Sequence, residues 1–345
     1  MAMDAQCAST GSSSGFGAAA SRRRFVTMLG AAAAAPLLAR GQGSKSLMRV
    51  AHVLTEQDNV HRALVRFKDT VEKKTGGQLE VQIYPNSSLG NLRVTFESIR
   101  LGNLEAGVWD AGTPSNVVPA WAVPELPYIF RDLAQVHRVV DGAIGQELNK
   151  ALIDKAKVRS LAIYDTTFRK IFTRPKPINS LADLKGLKVR VPEVPSYVRC
   201  MQLLGANPTP IPWGELYTSL ETGVVQGFEN KCEAAFNAKL HEQTKFAAYT
   251  GHIFVINPLL VSEQWFAGLP KPIQQAALEA AAESLAWQRA EAPSSEKLFE
   301  QKMKDAGVAF TSPDTAPFRD AVAPYYKEHG DKFGTAELIR RVQAS

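Results

Sequence analysis

Basic side chains that could bind an anion concentrate between residues 164 and 230. Arg190 is flanked by two valines. Because alternate side chains of a strand point to opposite faces, Arg190 is predicted to point away from both of them. Arg169 and Lys170 form a second basic site earlier in the same stretch. A guanidinium group donates two parallel hydrogen bonds and stays charged when it is partly buried. The pattern therefore indicates a site for a carboxylate.

Purely structural roles remain open for several of these side chains. An arginine on a strand, such as Arg190, can pair with an acid at the surface, and Trp213, which follows a proline, can anchor a core. A structural role is favoured for Glu229, which can orient Arg169 or Arg190 rather than touch a ligand. His52 lies near the end of the first predicted strand and is either a ligand contact or a hydrogen-bonded structural histidine.

The composition is that of a globular protein with enough apolar residues for two cores: of 345 residues, 45% are hydrophobic and 21% are charged. The net charge of +6 is mild and no basic block with interleaved aromatic residues occurs, so nucleic acid is not an expected partner. The six histidines are scattered and no CxxC motif occurs, so no metal is expected. Without a GxGxxG, GxxxxGKS/T or GxSxG motif, no cofactor and no catalytic residue are assigned.

The N-terminal residues have the features of an export leader. Residues 21–26 (SRRRFV) fit the twin-arginine pattern. The apolar run over 28–39 has about a dozen residues, whereas a membrane-spanning helix needs roughly 20. Residues 1–43 are therefore predicted to be a leader with a disordered N-terminus, cleaved between about 39 and 46; an uncleaved anchor is the alternative. The sequence after Arg49 offers no other candidate span, so we expect a soluble periplasmic protein.

The residues that follow the leader have the pattern of a β-α-β unit. Residues 50–54 and 79–84 are predicted strands, and 60–74 is a predicted helix with its apolar residues on one face. Such a unit implies a mainly parallel sheet with a right-handed crossover. Ligands bind at the carboxyl ends of the strands in sheets of this kind.

Two later stretches carry prolines inside otherwise regular patterns. Residues 252–262 form a long apolar strand, which is expected to be broken at Asn257-Pro258 and could pass between two sheets. Residues 271–306 have a long helical pattern, which Pro293 is expected to interrupt or kink. A helix of that length would span more than one small domain.

Three segments together carry a family resemblance: YPNSSLG (84–90), DLKGLKVRVP (183–192) and LGANPTPIPWGELYTSLETGVVQGFEN (204–230). In this order and at this spacing, the chain resembles the solute receptors of TRAP transporters, of the dicarboxylate-receptor type. The resemblance covers nearly all of the chain after the leader, from about Arg49 to about Gly330.

The resemblance implies an α/β fold with two domains, as in periplasmic binding proteins, joined by hinge strands and crossed by one long helix. Domain I is expected to comprise residues 48–165 and about 256–292, and domain II residues 166–255 and about 293–345. The ligand is expected to bind in the cleft, and the domains to close over it by a hinge motion.

The resemblance also implies roles for particular residues. Arg190 falls on the arginine that forms the salt bridge with the ligand carboxylate, Trp213 on an aromatic residue of the cleft, and Asn230 on an asparagine that bonds the carboxylate or its neighbour. Arg169 matches a second basic position less securely, and Lys170 could take that role instead.

A sugar acid such as a hexuronate is the favoured ligand, ahead of C4-dicarboxylates and small 2-hydroxy or 2-oxo acids. Its hydroxyl groups would suit a cleft that also contains His52, Asn59 and Ser88. Lys231-Cys232 departs from the family pattern and leaves the identity of the acid open.

The function that the resemblance implies is that of an extracytoplasmic receptor, which delivers an organic acid to the small and large subunits of a TRAP membrane permease. A monomer without enzymatic activity is expected. The alternatives are a lyase-like enzyme that acts on a carboxylated sugar, and a protein that presents its ligand to a sensor kinase. Whether Cys200 and Cys232 form a disulfide is left open.

Overall fold

The computed structural model describes residues 45–345, so the predicted export leader lies outside the described residues. Within that part of the chain, no helix combines the length and the apolar character that a membrane span requires. Helices and short strands alternate along the chain, which gives the mixed α/β class that the sequence predicts.

The strands are, in chain order, β1 (Ser46–Ala51), β2 (Leu79–Tyr84), β3 (Ala106–Val108), β4 (Val158–Phe168), β5 (Lys170–Thr173), β6 (Lys188–Val191), β7 (Asn207–Pro210), β8 (Gly227–Asn230), β9 (Phe246–Ala248), β10 (Phe254–Ser262) and β11 (Ala309–Thr311). The α-helices are α1 (Asn59–Lys74), α2 (Leu92–Arg100), α3 (Gly112–Ser115), α4 (Leu133–Asp141), α5 (Ala143–Ala156), α6 (Pro195–Leu203), α7 (Leu216–Glu221), α8 (Cys232–Asn237), α9 (Glu263–Gly268), α10 (Lys271–Asp305), α11 (Ala316–Val322), α12 (Pro324–Phe333) and α13 (Ala336–Ala344). Short 3-10 helices cover Pro119–Glu125, Leu181–Leu184, Trp213–Glu215 and Leu240–Glu242.

The first sheet has the strand order β2-β1-β3-β10-β4. β1 pairs in parallel with β2 and β3, whereas β10 runs antiparallel to β3 and β4. α1 connects β1 to β2 and buries Leu64, Phe67 and Val71 on its apolar face. The side chain of Asp58 caps α1 by accepting a hydrogen bond from the Val60 N–H at 2.9 Å. The predicted β-α-β unit is therefore present.

The second sheet has the strand order β11-β9-β5-β8-β6-β7. β6 pairs in parallel with β7 and β8, and β5 pairs antiparallel with β8 and β9. In this register Arg190 lies beside Phe228 on one neighbouring strand and beside Thr209 on the other. Arg190 is thus held in an interior strand, where backbone pairing on both sides fixes the direction of its side chain.

Two short connections between the sheets lie side by side, and a third runs from β10 through α9 and α10 to β11. Arg169 is the only residue between β4 of the first sheet and β5 of the second, and residues 249–253 lead back from β9 to β10. The two crossings are hydrogen-bonded to each other, because Arg169 N–H donates to the Ile253 carbonyl at 2.8 Å. Two short connections side by side are the geometry that a hinge requires.

The long helix α10 packs against both sheets. Ala277, Ala280 and Ala281 lie in the hydrophobic cluster that contains α1, whereas Phe299 and Met303 lie in a cluster with strands of the second sheet. With 35 residues the helix is about 52 Å long, at 1.5 Å per residue. It therefore ties the two sheets together from one side, as expected.

Neither Pro258 nor Pro293 interrupts the element that contains it, so both expected interruptions are wrong. β10 continues without a break through Asn257 and Pro258. The carbonyl of Pro258 accepts a hydrogen bond from the Trp109 N–H, which lies just beyond the end of β3. The nitrogen of Pro258 faces the same side, where β3 has ended, so the absence of a proline N–H removes no hydrogen bond between β10 and β3. α10 likewise continues through Pro293, since buried Gln288 and Ser295 anchor it on either side to Asp165 and Glu233.

Hydrophobic clusters lie on both faces of each sheet. The C-terminal helices contribute Tyr325, Leu338 and Val342 to a cluster that also contains Phe254 of the first sheet. Cys200 and Cys232 are both buried and free, and they belong to different clusters of the second sheet. The domain boundaries predicted from the sequence remain a prediction.

Candidate ligand-binding site

A cavity lies between the two sheets. The cavity is lined by Val53, Leu54, Leu92, Val108, Trp109, Asp110, Thr166, Arg169, Arg190, Pro192, Trp213, Asn230, Lys231, Val255 and Asn257. Many of these residues follow or end strands, which is where ligands bind in α/β sheets.

Arg190 is buried in the wall of this cavity. Val189 and Val191 are fully buried in a cluster of the second sheet, so strand alternation directs Arg190 to the other face. Its Nε donates to the carbonyl of Ile211 at 2.8 Å, and its guanidinium group lies 5.6 Å from the ring centre of Trp213. Within residues 45–345 its two terminal nitrogens have no hydrogen-bond partner and it forms no salt bridge. These nitrogens are available to an anion.

The surroundings of Arg190 lower its pKa, but the guanidinium group keeps its positive charge at neutral pH. Burial lowers the pKa of Arg190 to about 10; Arg169 adds to the shift, and Glu229 and Asp110 oppose it. The group is therefore still protonated at neutral pH. A buried cation without an acidic partner is costly, and an anionic ligand would supply that partner.

Arg169 also lines the cavity, but an internal acid occupies most of its donors. Nε and Nη2 of Arg169 donate to the carboxylate of Glu229, and Nη2 donates to the Glu229 carbonyl at 2.6 Å. The guanidinium group also lies 5.2 Å from the ring centre of Tyr197. Burial opposes the charge of Arg169, but the nearby Glu229 carboxylate outweighs it and raises the pKa of Arg169. Glu229 thus orients this arginine, the structural role favoured for it from the sequence.

Lys170, the alternative second basic residue, does not line the cavity. It follows Arg169 in the chain and points away, and its Nζ lies 2.8 Å from Glu296 on α10. The carboxylate of Glu296 also accepts the backbone N–H of Cys232 at 2.9 Å. Lys170 therefore contributes to the attachment of α10 to the second sheet.

The first sheet contributes hydrogen-bond acceptors to the cavity. Oδ1 of Asp110 accepts from the backbone N–H of Thr113 at 2.8 Å and from its hydroxyl at 2.7 Å. Burial raises the pKa of Asp110, although the Thr113 bonds and the charges of Arg169 and Arg190 oppose the shift. Nδ2 of Asn257 donates to the carbonyl of Trp109 at 2.9 Å, which leaves its Oδ1 as an acceptor.

Asn230 ends β8 at the edge of the cavity, and its Oδ1 accepts from the backbone N–H of Lys231 at 2.8 Å. Lys231 itself is buried, and its Nζ lies 2.9 Å from Asp58 and 3.1 Å from Glu233. Burial disfavours the charge of Lys231, but these two carboxylates outweigh it and raise its pKa. The departure from the family pattern at Lys231 is thus a buried ion-pair network.

Three residues predicted to contact the ligand do not line the cavity. Nε2 of His52 is 3.0 Å from Nδ1 of His61, and burial, with His61, lowers the pKa of His52 to about 3. Asn59 is buried at the start of α1, where its N–H donates to Glu233 at 2.9 Å. Ser88 lies exposed in the turn after β2. The structure therefore brings together Arg190, Trp213, Asn230 and Arg169 from the predicted set.

Reasoning from the sequence missed Asp110, Trp109 and Asn257. Trp109 and Asp110 directly follow β3, a parallel strand, so the rule that ligands bind at carboxyl ends of strands could have found them. Asn257 was not predicted as a site residue because the neighbouring Pro258 indicated a break in the strand. Among the described residues, no group of three histidine, cysteine or acidic side chains could hold a metal ion.

Comparison with known proteins places this site in a family. Residues 50–332 match the model of the bacterial extracellular solute-binding proteins, family 7. The chain belongs to this family. A relative in Escherichia coli K12, named as a 2,3-diketo-L-gulonate-binding periplasmic protein, is 31% identical over 278 residues, which are 80% of this chain and 84% of that protein.

Solved structures of TRAP periplasmic solute-binding proteins share the whole fold of this family member. The protein from Xanthobacter autotrophicus Py2, with bound β-D-galacturonate, is 33% identical with a TM-score of 0.83 and covers 86% of this chain and 99% of its own. The protein from Roseobacter denitrificans, with bound β-D-glucuronate, is 30% identical with a TM-score of 0.84 and covers 87% and 100%. The present chain is thus a TRAP-type solute receptor with the predicted α/β fold.

Proposed function

We propose that this receptor binds a sugar acid in the cavity between its two sheets, and that Arg190 forms the salt bridge with the acid's carboxylate. The observation that carries the proposal is the state of Arg190: it is 3% exposed, charged, and without an acidic partner within residues 45–345. A carboxylate fits its two terminal nitrogens as a bidentate acceptor. The amide of Asn230 and the ring of Trp213 lie beside this position.

A sugar acid is favoured over other organic acids because the cavity mixes polar and aromatic groups. Trp213 can pack on the apolar face of a sugar ring, while Asp110 and Asn257 can accept from its hydroxyls. The solved relatives contain galacturonate and glucuronate, which have this combination of a carboxylate and hydroxyls.

Ligand binding is coupled to closure of two domains with the boundaries predicted from the sequence. The support is that the cavity walls come from both sheets, while two of the connections between the sheets, at residues 168–170 and 249–253, are short and lie side by side. A ligand that contacts both walls stabilises the closed state over the open one. The cavity is then desolvated, which strengthens the ion pair with Arg190.

The closed receptor delivers its ligand to a TRAP membrane permease, works as a monomer and catalyses no reaction. In the cell it is exported through the twin-arginine segment at residues 21–26 and cleaved between about 39 and 46. Mass spectrometry of the native protein tests the cleavage, and an intact residue 1 would contradict it. Incubation with the bound acid tests catalysis, and turnover of that acid would favour the lyase-like alternative.

The experiment that tests the binding proposal is a thermal-shift screen against an organic-acid library. Hexuronates and aldonates are expected to raise the melting temperature, since a ligand at 100 times its Kd adds about 2.7 kcal/mol to the stability of the folded state. The Arg190→Ala variant is the control and should show no shift. A screen in which no acid stabilises the wild-type protein, or in which both proteins respond alike, would contradict the proposal.

A further inference from the structure

We infer that Asp110 is a specificity-determining residue, which selects hydroxylated monocarboxylic acids and rejects dicarboxylic acids. The inference rests on the proposed function, in which Arg190 takes the first carboxylate. It concerns which other groups of the ligand the rest of the cavity can bind.

The first observation concerns the cationic side chains of the cavity and their acidic partners. Three cations line the cavity, but Arg169 is paired with Glu229, and Lys231 with Asp58 and Glu233. Among the residues that the structure describes, Arg190 is the one cavity cation without an acidic partner. A second ligand carboxylate would enter a buried site with no free cation, which is strongly unfavourable.

The second step is the position of Asp110. It directly follows β3 of the first sheet, whereas Arg190 lies on β6 of the second, and both line the same cavity. Asp110 is 9% exposed, so its carboxyl group meets the cavity rather than bulk water. A ligand that fills this cavity therefore meets both Arg190 and Asp110.

The third step is the direction of hydrogen bonding at Asp110. Thr113 donates twice to Oδ1 and so fixes the rotamer, while Oδ2 has no partner within residues 45–345. Asn257 also offers an acceptor oxygen, because its Nδ2 is held by the carbonyl of Trp109. Two acceptors call for donors on the ligand, and a sugar hydroxyl is a donor whereas a carboxylate is not.

These steps together predict how two matched ligands differ. L-galactonate and galactarate share a carbon skeleton and its hydroxyls, but the terminal CH2OH of the first is a carboxylate in the second. Wild-type protein should bind L-galactonate at least about 10-fold more tightly than galactarate, which corresponds to a difference of about 1.4 kcal/mol in binding free energy. The same order should hold for D-galacturonate against succinate.

The test is calorimetric titration of the wild-type protein and of Asp110→Asn with these four acids. Asparagine keeps an oxygen for Thr113 but replaces Oδ2 by an NH2 donor and removes the charge. The variant should bind the hydroxylated monoacids about 10- to 100-fold more weakly, as for loss of a charge-assisted hydrogen bond. Its ratio of monoacid to diacid affinity should fall by at least about 10-fold, because repulsion of the second carboxylate is relieved.

Several outcomes would overturn the inference, and they are distinct. An unchanged affinity ratio in Asp110→Asn, or wild-type protein that binds galactarate as tightly as L-galactonate, overturns the specificity role alone and leaves the proposed function standing. Wild-type protein that binds none of the four acids overturns the proposed function and the inference with it. If Asp110→Asn does not fold, the affinities of the wild-type protein for L-galactonate and galactarate still test the inference.

Discussion

Lys231 Nζ lies 2.9 Å from Oδ2 of Asp58, although they are 173 positions apart in the chain and lie beside different sheets. Asp58 caps α1 beside the first sheet, whereas Lys231 follows β8 of the second. Glu233 completes the cluster: it contacts Lys231 at 3.1 Å and accepts hydrogen bonds from Asn59 N–H and the hydroxyl of Ser295. One buried cation thus joins α1, β8 and the long helix.

The first prediction concerns replacement of this cation. Lys231→Met leaves the carboxylates of Asp58 and Glu233 buried without their partner, and loss of one member of a buried charge pair costs about 3–5 kcal/mol. The free energy of unfolding, measured by urea titration at neutral pH, should fall by that amount. Lys327→Met is the control, because the pair of Lys327 with Asp331 is exposed, and it should change stability by less than about 0.5 kcal/mol. Equal effects in the two variants would contradict the role of the buried network.

The raised pKa of a second buried acid, Glu125, predicts how the free energy of unfolding changes with pH. Its Oε1 accepts from the Ala111 N–H at 3.1 Å and its Oε2 accepts from the Tyr197 hydroxyl at 3.1 Å. Burial, and then the nearby charge of Asp110, raise the pKa of Glu125 from 4.5 to about 8. The folded protein therefore keeps a proton on Glu125 where the unfolded chain has lost it.

The sign of the pH effect follows from this difference in bound protons. Between pH 4.5 and about 8 the folded state binds more protons at Glu125, so its contribution to stability is full below pH 4.5 and is lost as the pH rises through 8. Glu125→Gln stays neutral at every pH. From about pH 5 to about pH 8, its free energy of unfolding should fall less than that of the wild-type protein. Parallel pH profiles in urea titrations would show that Glu125 ionises normally in the fold.

Domain closure gives a third prediction. Since the cavity walls come from both sheets, a bound acid should draw them together and reduce the radius of gyration in small-angle scattering. The Arg190→Ala variant at the same ligand concentration should keep the curve of the unliganded protein. An unchanged wild-type curve at saturating ligand would count against a hinge motion.

The sequence predicts much of the fold because the relevant signals are local. The direction of Arg190 follows from the valines that flank it, and both are fully buried as alternation requires. The helix over residues 59–74 and the strand over 79–84 follow from periodicity and turn residues. These features depend on neighbours within a few positions, so one sequence suffices to find them.

The ionic partners are not predictable in this way, because they depend on tertiary packing. From the sequence, Glu229 could orient either Arg169 or Arg190, and it is the antiparallel pairing of β5 with β8 that brings it to Arg169. The partner of Lys231 is likewise distant in the chain, because Asp58 caps α1 beside the first sheet. Asp110 is different, because it directly follows β3 and the rule that ligands bind at the carboxyl ends of strands could have found it.

Ligand binding depends most on the salt bridge between Arg190 and the ligand carboxylate, and calorimetric titration of Arg190 variants tests this salt bridge most directly. Removal of one partner from a buried charge pair costs about 3–5 kcal/mol, so Arg190→Ala should weaken binding of a hexuronate by about two to four powers of ten. Arg190→Lys should recover only part of the loss, because an ammonium group cannot reproduce the planar fork of donors. Arg340→Ala, at an exposed site on α13, should bind like the wild type. Near-native affinity in Arg190→Ala would contradict the account, and a collapsed thermal melt of that variant would show Arg190 to be structural instead.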